Sequence, residues 1–302
     1  MKIIKANYKM TEEKANNLMG EYASENHFDT LIDEDANCYD YYGKPVFFLR
    51  KNYIEKETLE VAYQNMKKAA TPTTNRGLSS GAVREHRVLN NGKKSKSLVT
   101  VDKITGELAN PLSGITGYFD RSGRFDYCRK TAFNIKQKEK FEKAMPLINS
   151  VNQGFKEIVP DRYEKQKKMV LGTDPNYRIG ETAFSTITVN KDYRTTFHKD
   201  AGDYPEGFGN LVAYCKDIEP VYLVLPKFGI AVNVGTNDLL LVDVHQVHGN
   251  TKIKKKSENA VRLSFVMYYR NNMYKCLKPS EELKFPQQKE RIIGKKYIDG
   301  VL

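Results

Sequence analysis

The segment at residues 184–203, FSTITVNKDYRTTFHKDAGD, contains a histidine and an aspartate two residues apart. Because side chains alternate between the two faces of a β-strand, His198 and Asp200 would project from the same face of one strand. An imidazole and a carboxylate together suit Fe(II), Mn(II) or Zn(II) better than Ca(II) or Mg(II). A histidine near an acid is more often an ordinary surface feature, so the pair predicts a metal site only if a third ligand lies elsewhere.

Two further histidines follow an apolar run in the downstream segment DLLLVDVHQVHGNTKI. The run at residues 239–244 is predominantly apolar, which predicts a buried strand. Only one of His245 and His248 can be the third ligand of the site, and the residue pattern by itself does not choose between them.

An arginine and a serine lie two residues apart on a second predicted strand, VRLSFVMYY. Burying Arg262 is costly unless it meets a carboxylate, which a planar guanidinium can bind through two hydrogen bonds. Ser264 would share its face of the strand. The pair therefore predicts an acidic partner at this position.

The order HxD, distal HG and RxS resembles the 2-oxoglutarate- and Fe(II)-dependent dioxygenases. The segments FSTITVN, RTxxHxDxGD, GFGNL and HGNT are similar to the oxygenase domain of the TET/J-binding-protein group, nearer to the J-binding (thymine hydroxylase) branch. The resemblance covers residues 182–269. It favours His248 over His245, because Gly249 and the next two residues continue the family pattern HGNT.

The resemblance implies a catalytic iron site formed by His198, Asp200 and His248. It also implies that Arg262 and Ser264 bind the distal carboxylate of 2-oxoglutarate, and that O2 is the second cosubstrate. The implied reaction is hydroxylation of the 5-methyl group of a pyrimidine in DNA, thymine to 5-hydroxymethyluracil, with 5-methylcytosine as the alternative. A base inside a duplex cannot reach a buried iron, so we expect it to be flipped into the pocket.

Three rival functions use parts of the same pattern. A protein side-chain hydroxylase would need the same metal ligands and the same arginine. A zinc-dependent isomerase of the cupin type could use the three metal ligands but would have no use for Arg262. A non-catalytic nucleic-acid-binding module would leave His198 and Asp200 with structural roles only.

Composition bears on the partner and the compartment. The chain has 302 residues and a formal net charge of +12, which favours a polyanionic partner such as DNA, although solubility alone explains such a charge equally well. The four cysteines, without a CxxC motif, indicate neither a zinc ribbon nor a disulfide framework. The N-terminus lacks an apolar segment, so we expect a soluble intracellular protein that does not enter membranes. The sequence does not indicate an oligomeric state.

We expect an α+β fold in a single dioxygenase domain over residues 1–302, with a double-stranded β-helix (jelly roll) core buttressed by N-terminal and central helices. The domain would comprise a helical, substrate-lining extension (1–160), the jelly-roll core (161–275) and a basic tail (276–302). Helices are predicted at 11–24, 58–70 and 136–159, the last broken at Pro146. Residues 72–113 read as a long irregular region with a basic loop at 90–96, and 160–168 as a polar connection. Core strands are predicted at 184–189, 195–199, 211–215, 221–225, 230–234, 239–244 and 261–268.

Substrate contacts are the least defined part of the prediction. The segment at 114–133 combines arginines with aromatic residues, a composition that suits phosphates and bases but also a hairpin packed on the core. The resemblance implies upstream elements at the mouth of the site. The candidate substrate-binding residues are Arg76, Arg121, Arg129, Thr131, Asn190, Arg194 and Asp203.

Overall fold

The computed structural model describes residues 1–88, 91–103, 106, 109–122 and 125–284. Its strands are β1 (Lys2–Ala6), β2 (Thr30–Ile32), β3 (Ala36–Asp40), β4 (Pro45–Arg50), β5 (Thr71–Pro72), β6 (Ala82–Val88), β7 (Lys94–Asp102), β8 (Leu112–Phe119), β9 (Arg129–Lys130), β10 (Thr186–Lys191), β11 (Gly209–Lys216), β12 (Tyr222–Leu225), β13 (Ile230–Asn233), β14 (Leu239–Val242), β15 (Gly249–Asn250) and β16 (Val261–Tyr268). Its α-helices are α1 (Glu12–Asn17), α2 (Lys56–Met66), α3 (Ala132–Lys136), α4 (Lys138–Lys143), α5 (Met145–Ile158), α6 (Pro160–Gly172) and α7 (Pro279–Glu282).

Two facing β-sheets form the jelly-roll core, which confirms the predicted α+β class. The larger sheet has the strand order β1-β3-β4-β14-β11-β16-β10-β8-β5, and β9 also pairs with β8. The smaller sheet has the order β15-β12-β13-β2, while β6 and β7 pair as a separate hairpin. Strand β16 lies between β10 and β11, so its residues are at the centre of the larger sheet.

The central strands are apolar on both faces because both faces are covered. On β4 and β14, Phe47 and Leu240 point between the two sheets, where they meet Leu223 and Val232 of the smaller sheet. Residues of the opposite parity, such as Phe48, point outward into a second apolar cluster with the helices. Alternation with a period of two thus places one set of side chains between the sheets and the other beneath α2 and α5.

The helices confirm some predictions and correct others. The break at Pro146 is confirmed: residues 132–158 form α3, α4 and α5, and Pro146 lies in the first turn of α5, where its missing N–H costs nothing. The predicted helix at 58–70 ends at Met66 and continues as a 3₁₀ turn. The helix predicted at 11–24 ends at Asn17, shortly before Gly20 takes a φ of 93°.

Two segments predicted to lack regular structure are ordered. The polar connection at 160–168 is part of α6, where Tyr163, Gln166 and Val170 are buried at helical spacing. The polar residues between them concealed this spacing in the sequence. The region at 72–113 contains the β6–β7 hairpin, and Gly92 at its turn has a φ of 74°. Part of the predicted basic loop, and the predicted tail beyond residue 284, lie outside the described residues.

The predicted strand at 195–199 is wrong. Single bridges to Tyr22 and His248 hold this segment, but no continuous ladder forms. The other core strands are present with shifted ends, and β16 has the predicted bounds. The division into extension, core and tail stays a prediction.

The cysteines form a disulfide that their spacing in the sequence did not indicate. Cys128 and Cys276 are bonded to each other across a sequence separation of 148 residues. Cys38 and Cys215 are free. No helix in the described part of the chain is long and apolar enough to cross a membrane.

Candidate metal centre

His198 and His248 come together through a short pairing of backbone. The His198 N–H donates to the His248 carbonyl over 2.9 Å, and the His248 N–H returns a bond of 3.0 Å. This pairing is tight because Gly249 has no side chain: a β-carbon there would lie 3.0 Å from backbone atoms of Thr196 and Phe197. The glycine of the HGNT segment therefore lets the two histidine segments approach, and the ring centroids lie 4.4 Å apart.

Asp200 completes a cluster of three metal-ligating side chains. Its carboxylate oxygens lie 3.7 Å from His198 Nε2 and 3.8 Å from His248 Nε2. One ligand atom from each residue lies within 4.8 Å of the others. The Asp200 backbone N–H donates to the Val244 carbonyl, which holds the turn carrying the carboxylate against the end of β14.

Backbone carbonyls orient both imidazoles. His198 Nδ1 lies 2.7 Å from the Thr196 carbonyl oxygen, and His248 Nδ1 lies 2.9 Å from that of Gln246. Because a carbonyl only accepts hydrogen bonds, each Nδ1 carries the proton and each Nε2 keeps its lone pair for a metal. Burial, together with the nearby His198, lowers the pKa of His248 to about 4, so this imidazole is neutral at physiological pH.

His245 points away from this cluster. Its Nδ1 lies 3.2 Å from an Asp243 carboxylate oxygen and its Nε2 lies 3.4 Å from the Asp203 carbonyl. The hydrogen bond to Asp243 raises the pKa of His245. The structure thus brings His248, and not His245, beside His198 and Asp200.

Arg262 and Ser264 line the same cavity as the three candidate ligands, a space of about 310 Å³ that we call the metal-centre cavity. Arg262 is buried, and its Nε has no hydrogen-bond partner. Within the described residues it has no ion pair, since the nearby Asp192 accepts from the Arg262 backbone N–H and from Lys255. A buried guanidinium without an anion is a strong indication of an acidic ligand.

Three predicted substrate residues also line the metal-centre cavity. They are Arg76, Asn190 and Asp203. Asn190 lies opposite Ser264 in the β10–β16 register, and Ser113 donates to its Oδ1. Burial and the neighbouring Asp200 raise the pKa of Asp203 well above its ordinary value, while Arg270 opposes the shift.

Four other predicted substrate residues lie elsewhere. Arg194 stacks 4.4 Å from the centroid of Tyr22 and donates to the Ala23 carbonyl. Arg121 pairs with the buried carboxylate of Glu282. Arg129 and Thr131 line a neighbouring cavity of about 910 Å³, which we call the aromatic cavity because Tyr118, Phe119, Phe125 and Tyr127 form much of its wall.

Arg270 lies two residues after β16 and lines the metal-centre cavity, although the sequence did not identify it as a site residue. Its Nε lies 2.7 Å from an Asp120 carboxylate oxygen, and its guanidinium lies 4.0 Å from the Phe119 centroid. Its position two residues beyond a strand with an identified cavity face was the available signal. The pairing with Asp120 spans 150 residues, so the sequence around Arg270 does not indicate it.

Residues 114–271 match a family model, Tet_JBP, described as the oxygenase domain of the 2OGFeDO superfamily. The chain is 36% identical over 165 residues to thymine dioxygenase JBP1 of Trypanosoma brucei brucei, an alignment covering 53% of this chain and 19% of that protein. It is 31% identical over 257 residues to the bifunctional helicase and thymine dioxygenase JBP2 of the same organism, covering 83% of this chain and 21% of that protein. The chain thus spans about a fifth of the length of these relatives.

A solved structure supports the fold assignment. NgTET1 in complex with 5mC DNA superposes with a TM-score of 0.52 and 13% sequence identity, covering 92% of this chain and all of that chain. At this identity the likeness concerns the fold, and it agrees with the jelly roll described above.

Proposed function

This chain belongs to the Tet/JBP family of oxygenase domains in the 2OGFeDO superfamily, and on that premise we propose that it is an Fe(II)- and 2-oxoglutarate-dependent dioxygenase that hydroxylates the 5-methyl group of thymine in DNA to give 5-hydroxymethyluracil. One observation carries the proposal. Two imidazoles, one carboxylate and a buried arginine without an anion surround a single cavity.

His198, Asp200 and His248 would hold the iron, because two imidazoles and one carboxylate are the ligand set of non-haem Fe(II) oxygenases. When bound, iron with 2-oxoglutarate and O2 supplies the oxidising power that hydroxylates an unactivated C–H bond, while 2-oxoglutarate is converted to succinate and CO2. The chain keeps both Nε2 lone pairs directed to the cluster through the Nδ1 bonds to Thr196 and Gln246. These bonds hold the ligand geometry before the metal arrives.

Arg262 and Ser264 would bind the distal carboxylate of 2-oxoglutarate. The guanidinium offers parallel N–H donors that match the two oxygens of a carboxylate, and its burial excludes competing water. Ser264, two residues further along β16, is also buried and adds a hydroxyl on the same side. Binding of the cosubstrate would supply the anion that this arginine lacks among the described residues.

Asn190, Arg76 and Asp203 are the candidate contacts for the target base. Because Ser113 donates to Asn190 Oδ1, the amide nitrogen of Asn190 is left as a donor. A donor suits the 4-carbonyl of thymine better than the 4-amino group of 5-methylcytosine, and these two bases differ only there and in the proton on N3. A thymine inside a duplex would have to be flipped out to reach the cavity.

DNA as the partner is supported by charge and by the relatives. The net charge of +12 suits a phosphate backbone. The relatives in Trypanosoma brucei brucei are named thymine dioxygenases.

The test is mass spectrometry of nucleosides after incubation of the chain with unmethylated duplex DNA, Fe(II), 2-oxoglutarate and ascorbate. We expect 5-hydroxymethyldeoxyuridine from the wild type and none from the Asp200→Ala variant. Product only on DNA that contains 5-methylcytosine would move the assignment to the cytosine branch. Succinate formation with no altered nucleoside on either DNA would refute DNA as the substrate and redirect the search to RNA or protein.

A further inference from the structure

The aromatic cavity lies directly beside the metal-centre cavity. Asn75, Ile115 and Phe119 line both. The volume of the aromatic cavity, about 910 Å³, falls in the range of small-molecule sites, roughly 300–1,000 Å³. A ligand that places one group at the metal centre could therefore place a neighbouring group here.

Arginine side chains stack on the aromatic rings that separate the two cavities. The ring of Phe119 contacts two guanidinium groups, that of Arg270 at 4.0 Å from the ring centroid and that of Arg129 at 5.1 Å. Arg129 also stacks 4.1 Å from Phe125 and donates to the Asp120 carbonyl. Cation–π contacts of this kind fix the ring positions before any ligand binds. The aromatic wall is thus a preorganised stacking surface.

The chemistry of the lining favours a flat ring attached to negative charge. Ile135 and Leu283 both belong to the lining and leave 65% and 64% of their surface exposed, so the cavity offers apolar surface to a ligand. Arg129 and Lys130 belong to the lining, and within the described residues no aspartate or glutamate does. Asn75 and Asn176 add neutral amides. Aromatic rings beside cations are the usual stacking platform for unpaired nucleobases.

We propose that the aromatic cavity binds a second, non-reacting nucleobase of the same DNA molecule whose target base enters the metal-centre cavity. This inference rests on the proposed function. Extruding one base breaks the stacking of its neighbours, and the aromatic cavity would replace the lost contact. The phosphate of this second nucleotide would lie near Arg129 and Lys130, the cations of the lining.

The first experiment measures duplex binding by fluorescence anisotropy, with Fe(II) but without 2-oxoglutarate so that no turnover occurs. We expect Tyr127→Ala to weaken binding about ten-fold, the effect of losing one base-stacking ring. Tyr127→Phe keeps the ring and should bind like the wild type. Tyr42→Ala removes a 75% exposed tyrosine outside both cavities and serves as the matched control.

The second experiment removes the base instead of the ring. The duplex carries one thymine, uracil at all other thymine positions, and an abasic site placed in turn at each position flanking or opposite that thymine. We expect one abasic position to weaken binding by the wild type about ten-fold and to leave Tyr127→Ala without further loss, because the ring and the base belong to one interaction.

The outcomes separate this inference from the proposed function. Equal effects of every abasic site in wild type and Tyr127→Ala would overturn the inference, while nucleoside oxidation by both would leave the function standing. DNA binding without oxidation of any base would refute the function. The anisotropy measurements on wild type and Tyr127→Ala with intact and abasic duplexes would still show whether the aromatic cavity binds a base. Unchanged DNA affinity of Ile135→Glu with a lowered melting temperature would show that another part of the chain fills the cavity and would overturn the inference. Absence of duplex binding by the wild type would refute both.

Discussion

Replacing Arg262 by lysine should weaken the binding of 2-oxoglutarate far more than it weakens the fold. The guanidinium is buried on the central strand of the larger sheet, its Nε is unpartnered, and no carboxylate of the described residues forms an ion pair with it. Lysine keeps the positive charge but presents it as a point, so the paired hydrogen bonds to a carboxylate are lost. The substitution therefore separates the geometry of the contact from its charge.

The size of the effect follows from what lysine cannot replace. A hydrogen bond to a charged group contributes about 1.5–3 kcal/mol, and the buried setting gives no water to compensate for its loss. A loss of about 2–4 kcal/mol corresponds to an increase of roughly 30- to 900-fold in the KM for 2-oxoglutarate. Because the interaction is made with the cosubstrate before chemistry, KM should change more than kcat.

The assay is succinate formation at saturating DNA over a range of 2-oxoglutarate concentrations. The matched control is Arg50→Lys. Arg50 lies on β4 of the same sheet, donates to Asn37 Oδ1 and to the Leu49 carbonyl, and does not line the metal-centre cavity. An Arg262→Lys variant that melts like the wild type and keeps its KM would refute the assignment of the cosubstrate to this arginine.

Three further predictions concern the ligands, the glycine beside them and the C-terminal contact. His198→Ala, Asp200→Ala and His248→Ala should each abolish Fe(II) binding in equilibrium dialysis, whereas His245→Ala should retain it; the reverse result for the two distal histidines would show that the third ligand is misassigned. Gly249→Ala should lower Fe(II) affinity at least about ten-fold, because the new β-carbon meets the backbone of Thr196 and Phe197 and separates the histidines; an affinity equal to that of the wild type would show that the backbone yields at no cost. Hydrogen bonds from Arg121 and from the Cys128 and Leu277 N–H groups lower the pKa of Glu282 against its burial, so its contribution to stability is complete above its ordinary value near 4.5 and is lost as the pH falls through the lowered value. Glu282→Gln should therefore flatten the acid side of the stability profile measured by urea unfolding between pH 2 and pH 6, and an unchanged slope there would contradict this.

The sequence predicted best the features that depend on a short local pattern, namely the bounds of a buried strand and the candidate metal ligands. Strand β16 has the predicted bounds because its apolar residues are continuous and only Arg262 and Ser264 interrupt them on one face. The three candidate ligands could be chosen because few residue types bind a metal and because the segment HGNT, which begins at His248, resembles the family pattern. The segment at 195–199 was mistaken for a strand because local spacing does not show that its pairing is limited to single bridges.

Pairings between residues far apart in the chain could not be predicted from the sequence. Asp120 meets Arg270, Arg121 meets Glu282, and Cys128 meets Cys276, each across about 150 residues. None of these partners can be identified from local spacing, since each pairing depends on the finished arrangement of β8 and the segment after β16. For the same reason the sequence did not show that Arg121 pairs with Glu282 or that Arg129 lines the aromatic cavity.

The bond between Cys128 and Cys276 makes a covalent ring of the part of the chain that contains His198, Asp200, His248 and Arg262. The ring persists in the unfolded state, where it restricts the chain even after every strand has separated. For a closed loop of this length the lost freedom of the unfolded chain corresponds to about 5 kcal/mol in the chain-entropy account. Strands β1 to β8 lie outside the ring. In the unfolded chain this restriction therefore falls on the half that carries the candidate ligands, and the segment with the first eight strands remains unrestricted.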